Sequence, residues 1–292
     1  MLIYPMLAVQ LLLSIHIQKL QAQFYSIKYS SSVIICAFGA TILMLTQTVA
    51  MDTTSFNFLK DYRFYLAQFF NITMIMIQVE GRKHNEKNMA LFYFSSFLII
   101  SIVPVLTPLL THLLGFERGI AAQYSSPYTM AAMVICMLVL TVIFYLNKIK
   151  SQSLERIDLL VWNVLFGSVA IILGGKMMQE YNAISYLIAA NILNVLVFTF
   201  FALKNGEHKR LNTSCFQPIP MAQMICCFAT TLYLSSLIIQ NTTVESYTIL
   251  RNVGIILMSY VYTWVVEKQK THNLRDTVLL SLMIGTLIVF SK

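Results

Sequence analysis

The sequence predicts an all-α, polytopic membrane protein with ten transmembrane helices. The chain of 292 residues is 58% hydrophobic and only 11% charged, and its mean hydropathy is +0.71. Soluble domains carry about 25% charged residues, and a protein of this size has too little interior to hide so much apolar surface from water. The apolar residues also fall into runs of about 20, the length that crosses a bilayer as a helix.

Ten apolar runs separated by short polar loops are the predicted spans. The first lacks a charged n-region and a small-residue cleavage site, which favours a retained helix over a signal peptide. The fourth contains Pro104 and Pro108. It is either one kinked helix or a helix with a broken second half, since membrane helices tolerate proline where neighbours satisfy the freed carbonyls. The spans are residues 2–18, 30–50, 62–79, 89–114, 128–147, 158–178, 183–203, 218–240, 244–266 and 274–291.

The spacing of charged residues indicates that the chain is a duplication. Glu117 set on Glu267 gives an offset of 150, and Lys19 set on Lys176 gives an offset of 157, both near half of the chain. Five helices is an odd number, so the second copy must enter the membrane from the opposite side. Such inverted repeats are typical of secondary transporters. The predicted halves of this one membrane domain are residues 1–150 and 151–292.

These features resemble the drug/metabolite transporter superfamily in its ten-helix EamA-type form, to which nucleotide-sugar and triose-phosphate transporters are related. In that family each half closes its penultimate helix on a glycine-glutamate element, followed by a last helix with a glycine-containing apolar run. Residues 115–118 (GFER) match the first element, while the second half has Glu267 but Val266 in place of the glycine. The resemblance implies a basket of helices around a cavity that opens alternately to each side and carries a small organic solute.

Most of the basic residues lie in or beside loops, where they set topology and contact anionic headgroups. The net charge of +8 forms no stripe that would hold nucleic acid. Of the 20 Lys and Arg residues, fourteen follow odd-numbered spans and five lie on the other side. The positive-inside rule then places both termini outside the cytoplasm, whereas the resemblance implies the reverse, and we favour the resemblance because it uses more of the chain. Short loops favour a bacterial-type inner membrane over an endomembrane.

Arg251 is the leading candidate for contact with a substrate. It lies seven residues past Val244, about 10 Å along the ninth span, and shares a helical face with Tyr247. Burying an ionisable group deep in lipid costs free energy, so such groups face a cavity or a partner. A guanidinium can donate two parallel hydrogen bonds to a carboxylate or phosphate. The alternatives are snorkelling to nearby headgroups or a pair with Glu245. The first half has Ser101 at the aligned position.

Other polar residues within the spans are secondary candidates. Lys176 and Glu180 are four residues apart and are interpreted first as a surface pair, and otherwise Lys176 is a second anion contact. Several amides lie on helical faces, where they either hydrogen-bond between helices or line the cavity. The amides assigned to the substrate site are Gln10, Asn71, Asn191 and Asn194.

The expected function is a secondary transporter that moves a small organic metabolite, an anionic one in one interpretation, by alternating access. The five histidines and five cysteines show no metal-ligand spacing, and no GxSxG or phosphate loop is present, so we expect no metal, cofactor or catalytic residue. The alternatives are a membrane enzyme acting on lipid, with the Glu117 and Glu267 loops as its only candidates, and a non-transporting scaffold. Expected partners are a small-molecule substrate and the bilayer, with no nucleic acid, and a homodimer is left open.

Overall fold

The computed structural model describes residues 3–49, 56–85, 89–116, 157–210 and 217–244, together with positions 135, 139, 246–248, 250, 251 and 254. Every regular element within these residues is helical, which confirms the all-α class. Four helices are long and apolar enough to cross a membrane. These spans identify an integral membrane protein, and they are Lys28–Gln47, Val161–Glu180, Ala183–Lys204 and Pro218–Gln240.

Seven long helices correspond to predicted spans one to four and six to eight. Their boundaries agree with the predictions to within two turns. The first helix, predicted to end at residue 18, continues to Gln23. The other three predicted spans lie largely outside the described residues. The helices are α1 (Ile3–Gln23), α2 (Lys28–Val49), α3 (Tyr62–Asn85), α4 (Met89–Leu113), α5 (Ile157–Glu180), α6 (Ala183–Lys204) and α7 (Pro218–Gln240).

The helix α4 is continuous through both of its prolines, so the interpretation of a broken second half is wrong. It ends at Gly115, whose φ of 61° is the left-handed conformation that glycine adopts without a Cβ clash. The Phe116 amide then donates to the Thr111 carbonyl at 3.1 Å, and the Phe116 side chain folds back into a buried position. The glycine noted in the sequence is therefore the stop signal of this helix.

The first compact unit comprises residues 1–68 and 177–241. In it α1 packs along α7, while α2 packs against both α6 and α7. Gly39 permits the approach of α7, because a Cβ there would lie 3.0 Å from the Phe228 ring. An apolar cluster joins α1, α2 and α7, and its buried members are Ile17, Leu20, Phe24, Ile27, Ile35, Met221 and Met224.

The second compact unit comprises residues 69–176 and 242–292. Its described core joins α4 and α5 through Ile99, Val103, Val164 and Ile172. The helix α3 packs on α5 as well, where the Phe70 and Phe166 ring centroids lie 5.5 Å apart. Each unit takes helices from both halves of the sequence. The compact units are groups of residues in contact, whereas the predicted halves are continuous stretches of sequence. The division at residue 150 therefore stays a prediction.

Candidate functional site

A buried lysine lies near the end of α5 in the second unit. Lys176 is 4% exposed, and it follows Gly175, whose missing side chain lets Val244 pack directly against the α5 backbone. Within the described part of the chain, no hydrogen bond or ion pair reaches the Lys176 ammonium. Lysine is almost never fully buried unless it is paired, so this position needs a chemical explanation.

The interpretation of Lys176 and Glu180 as a surface pair is wrong. Arg63, at the start of α3, donates to Glu180 at 3.0 Å and also holds Asp61 at 2.7 Å. The Tyr181 hydroxyl donates to the same Asp61 carboxylate at 3.0 Å. The Glu180 carboxylate therefore belongs to an arginine-centred network within the first unit, and Lys176 lacks the partner that its helical spacing suggested.

The network fixes the charge of Asp61. Burial opposes ionisation of this carboxyl group, but hydrogen bonds from the Arg63 side chain and backbone and from Tyr181, with the Arg63 charge, hold its pKa below the ordinary value. Burial, followed by the hydrogen bond to Asp61, raises the pKa of the Tyr181 phenol. Asp61 thus stays ionised and Tyr181 stays a donor at neutral pH.

Arg251 lies in the second unit on the helix that begins near Val244. Its side chain is half-buried, and its Nε atom is buried without a hydrogen-bond partner among the described residues. Tyr247, one turn earlier, is 5% exposed. Because Val244 packs on Gly175, this helix begins beside the end of α5, and Arg251 lies two turns further along it. The side chain of Glu245, the alternative partner, lies outside the described residues.

Two of the predicted amides act between helices of the first unit. Gln10 on α1 is buried and its Nε2 donates to the Ser235 hydroxyl on α7. Asn194 on α6 is buried and lies in hydrogen-bonding contact with the Cys36 thiol on α2. Its Oδ1 atom has no partner in the described region. These contacts fit interhelical hydrogen bonding, which stabilises helix pairs within membranes.

The remaining predicted amides are Asn191 and Asn71. Asn191 is buried, and its side chain donates to the Leu187 carbonyl of its own helix at 2.8 Å. Asn71 is half-buried on α3 in the second unit. The predicted site residues thus divide between the units: Gln10, Asn191 and Asn194 lie in the first, and Asn71, Lys176, Tyr247 and Arg251 lie in the second.

Glu207 is a polar residue that the sequence did not single out. It is 3% exposed and accepts hydrogen bonds from the Tyr29 and Ser30 amides at 3.3 and 2.8 Å. A buried acidic residue of this kind has no signature in the sequence, because its partners are backbone groups 177 or 178 positions away. The nearest signal is its position in a short polar turn after Gly206.

Metal ligands do not come together in the described part of the chain, where no three His, Cys, Asp or Glu side chains form a cluster. No protein-family model, curated protein or solved structure matches the chain. The family resemblance therefore stays an expectation that depends on the residues quoted for it.

Proposed function

We propose that the protein is a secondary transporter that moves a small organic anion across its membrane by alternating access. The observation that carries this proposal is Lys176, whose side chain is largely buried and whose charge no described residue neutralises. Leaving a lone charge buried costs several kcal/mol, and ionisable residues inside membrane proteins are retained mainly where they serve a substrate or ion path. A transported anion would neutralise the charge when it binds and leave again when it is released.

Arg251 supplies the second contact in this proposal. Its Nε donor is buried and has no partner among the described residues. The guanidinium is a planar fork suited to two oxygens of a carboxylate or phosphate, whereas the lysine ammonium acts as a compact point charge. Both residues belong to the second unit. A solute with a carboxylate or phosphate group and an organic body fits this pair of cations best.

Reciprocal helix packing supports the five-plus-five inverted repeat. In a five-plus-five repeat, span one corresponds to span six, and span three corresponds to span eight. A contact between spans one and eight therefore has a counterpart between spans six and three. The first contact is α1 on α7. The second is α5 on α3, seen at Phe166 and Phe70. Similarly, α2 packs on α7, and its counterpart is α6 on α3, where the Tyr186 hydroxyl accepts from Gln68.

The direction of the pair α2 and α6 is compatible with the same repeat. These are spans two and seven, so an inverted repeat requires them to cross antiparallel and to exchange places. Tyr29, two turns before Cys36, stacks on Phe201, two turns after Asn194. At the other end of the pair Gln47 donates to Asn182 at 3.2 Å. The contacts run in opposite directions along the two helices, as the inverted repeat requires of this pair.

The transport proposal is tested with the full chain in proteoliposomes. Uptake and counterflow are measured for a panel of radiolabelled carboxylates, organic phosphates, nucleotide-linked sugars and neutral metabolites. We expect an anionic member to be exchanged, with Lys176→Ala and Arg251→Ala each lowering kcat/KM at least tenfold. Lys204→Ala is the matched control, because Lys204 is exposed at the end of α6 and should leave transport unchanged.

Two results would overturn the proposal. In the first, no solute is exchanged by folded wild-type protein, and the non-transporting scaffold takes its place. In the second, an anion is exchanged equally well by wild type and both cation variants, so that transport stands but the assigned anion contacts are wrong. Turnover of lipid in the same vesicles, assayed in parallel, would favour the membrane enzyme.

A further inference from the structure

The N-terminus of α2 is capped by a side chain from a distant part of the chain. The residue before α2, Ile27, has no side-chain acceptor, so the first amides of the helix have no local cap. Glu207 supplies one by accepting from Tyr29 and Ser30. A carboxylate at this position is doubly favoured, since it binds the exposed N–H groups and complements the positive end of the helix dipole.

Glu207 lies in a short turn that follows α6 and is separate from the long helices. It begins the turn Glu207–Arg210, a single 3-10 turn that follows Gly206. Gly206 has a φ of 64° and no atoms within 4 Å of the position where a Cβ would lie. Glu207 is buried whereas the next two residues, His208 and Lys209, are exposed. The buried Glu207 side chain therefore faces the protein from this turn, which contacts α2 and α6.

An aromatic layer lies directly inside the capped end. Tyr29, whose amide donates to Glu207, places its ring 5.6 Å from Phe201 and 6.4 Å from Phe198, between centroids. Cys36 lies two turns deeper along α2 and is buried. Separation of Tyr29 from Phe201 would open the seam between α2 and α6 toward Cys36, and the Glu207 hydrogen bonds oppose that separation.

The opposite end of the same helix pair is joined by neutral groups. Asn182 caps its own helix by accepting from the Ser185 amide at 2.9 Å, and Gln47 adds one amide hydrogen bond at 3.2 Å. Hydrogen bonds that involve a charged group are roughly twice as strong as neutral ones. Among the described residues, the end at Glu207 therefore has two charge-assisted bonds across the pair, against one neutral bond at the end of Gln47.

We infer that Glu207 is a conformational latch, which holds one end of the α2–α6 seam closed and releases it when the protein opens toward that side. This inference depends on the proposed alternating access for its role, but the latch itself is a property of the helix pair. Because the described α2–α6 contacts are stronger at the carboxylate end than at the amide end, the helix pair would rest with the carboxylate end shut. The residue acts by positioning α2 and touches no solute.

The test uses Cys36 as the native reporter in the full-length chain, with the other four cysteines replaced by alanine. Sealed proteoliposomes without solute are treated on each side with a membrane-impermeant maleimide, and Lys204→Cys, exposed at the same end as Glu207, identifies the side. We expect Glu207→Gln to speed Cys36 labelling from that side about tenfold, because the charge of the cap is lost. Glu207→Asp, which keeps the charge on a shorter side chain, should lie in between.

Gln47→Ala is the matched control at the opposite end, and it should leave labelling from the Glu207 side unchanged. Gel filtration of each variant shows that it is folded, and Glu207→Asp carries the test alone if Glu207→Gln does not fold. Unchanged Cys36 labelling in the folded Glu207 variants would overturn the latch, as would an equal rise in Gln47→Ala. Because labelling needs no solute, failure of the latch is distinguishable from failure of the transport proposal, which is read from uptake.

Discussion

Gly175 on α5 packs directly against Val244, so closely that a Cβ added to the glycine would lie 2.8 Å from one Val244 methyl carbon and 2.9 Å from the other. Such distances do not occur between real side chains, and β-branched valine has little rotamer freedom with which to retreat. The contact brings the end of α5, where Lys176 lies, against the start of the helix that bears Arg251. The glycine is therefore a packing requirement next to the proposed anion contacts.

Gly175→Ala should destabilise the protein by about 1–2 kcal/mol, because overpacking outweighs the helix propensity gained with alanine. Thermal unfolding in detergent measures the change. Gly167→Ala is the control on the same helix. Its added Cβ would lie 3.4 Å from the sulfur of Met74, a flexible side chain that can shift. If both variants unfold at the wild-type temperature, the close approach of Val244 is wrong.

Arg63→Ala should lower the free energy of unfolding by about 2–4 kcal/mol. The guanidinium bridges Asp61 and Glu180, with side chains 14%, 11% and 9% exposed, so its removal leaves two largely buried carboxylates without their cation. Lys60→Ala, at an exposed position three residues earlier, is the control and should cost under about 0.5 kcal/mol. A double-mutant cycle with Glu180→Gln separates the two bonds, and zero coupling would contradict the Arg63–Glu180 pair.

The Asp61 network should also weaken at low pH. The folded-state pKa of Asp61 lies below its ordinary value of about 3.9. Its stabilising contribution is therefore fully present above that ordinary value and is lost as pH falls through the folded pKa. We expect the difference in unfolding temperature between wild type and Asp61→Asn to be constant from pH 7 to 5 and to shrink below about pH 4. A difference that grows on acidification would contradict the assigned sign.

The sequence predicted local features of the fold well, because the signals for them are local. Apolar run length predicted the helix boundaries. The cap at Asn182, which begins α6 by accepting from the Ser185 amide, was not predicted but is also a local signal. Gly115 ends α4 because the chain there needs a left-handed residue. Such signals lie within one turn of the boundary they mark, so no tertiary information is needed to find them.

The polar contacts were predicted less well, because they depend on residues distant in sequence. Helical spacing joined Glu180 to Lys176, but Arg63 binds Glu180 across helices with a favourable geometry that no periodicity encodes. Glu207 was missed for the same reason, since its partners are backbone amides of α2. The sequence identified Lys176 as a candidate. Only the packing of α5 shows that its side chain is buried and that no described carboxylate neutralises its charge.

The sharpest prediction separates a functional Lys176 from a structural one. Methionine has a similar length and no charge, so Lys176→Met should relieve the cost of an unpaired charge on a largely buried side chain and raise the free energy of unfolding by about 1–3 kcal/mol. The same variant should lose anion exchange and also the rise in unfolding temperature that a transported anion gives to wild type, because ligand that binds only the folded state stabilises it. Lys204→Met, at an exposed position, should change neither quantity.

A Lys176→Met variant that is destabilised by several kcal/mol would mean that the ammonium has a partner within the protein, and the lysine would then be structural. A stabilised variant that still exchanges the anion would remove Lys176 from the binding site. Greater stability combined with lost exchange is the result expected of a residue retained for its substrate, since natural binding sites commonly give up folded-state stability for function.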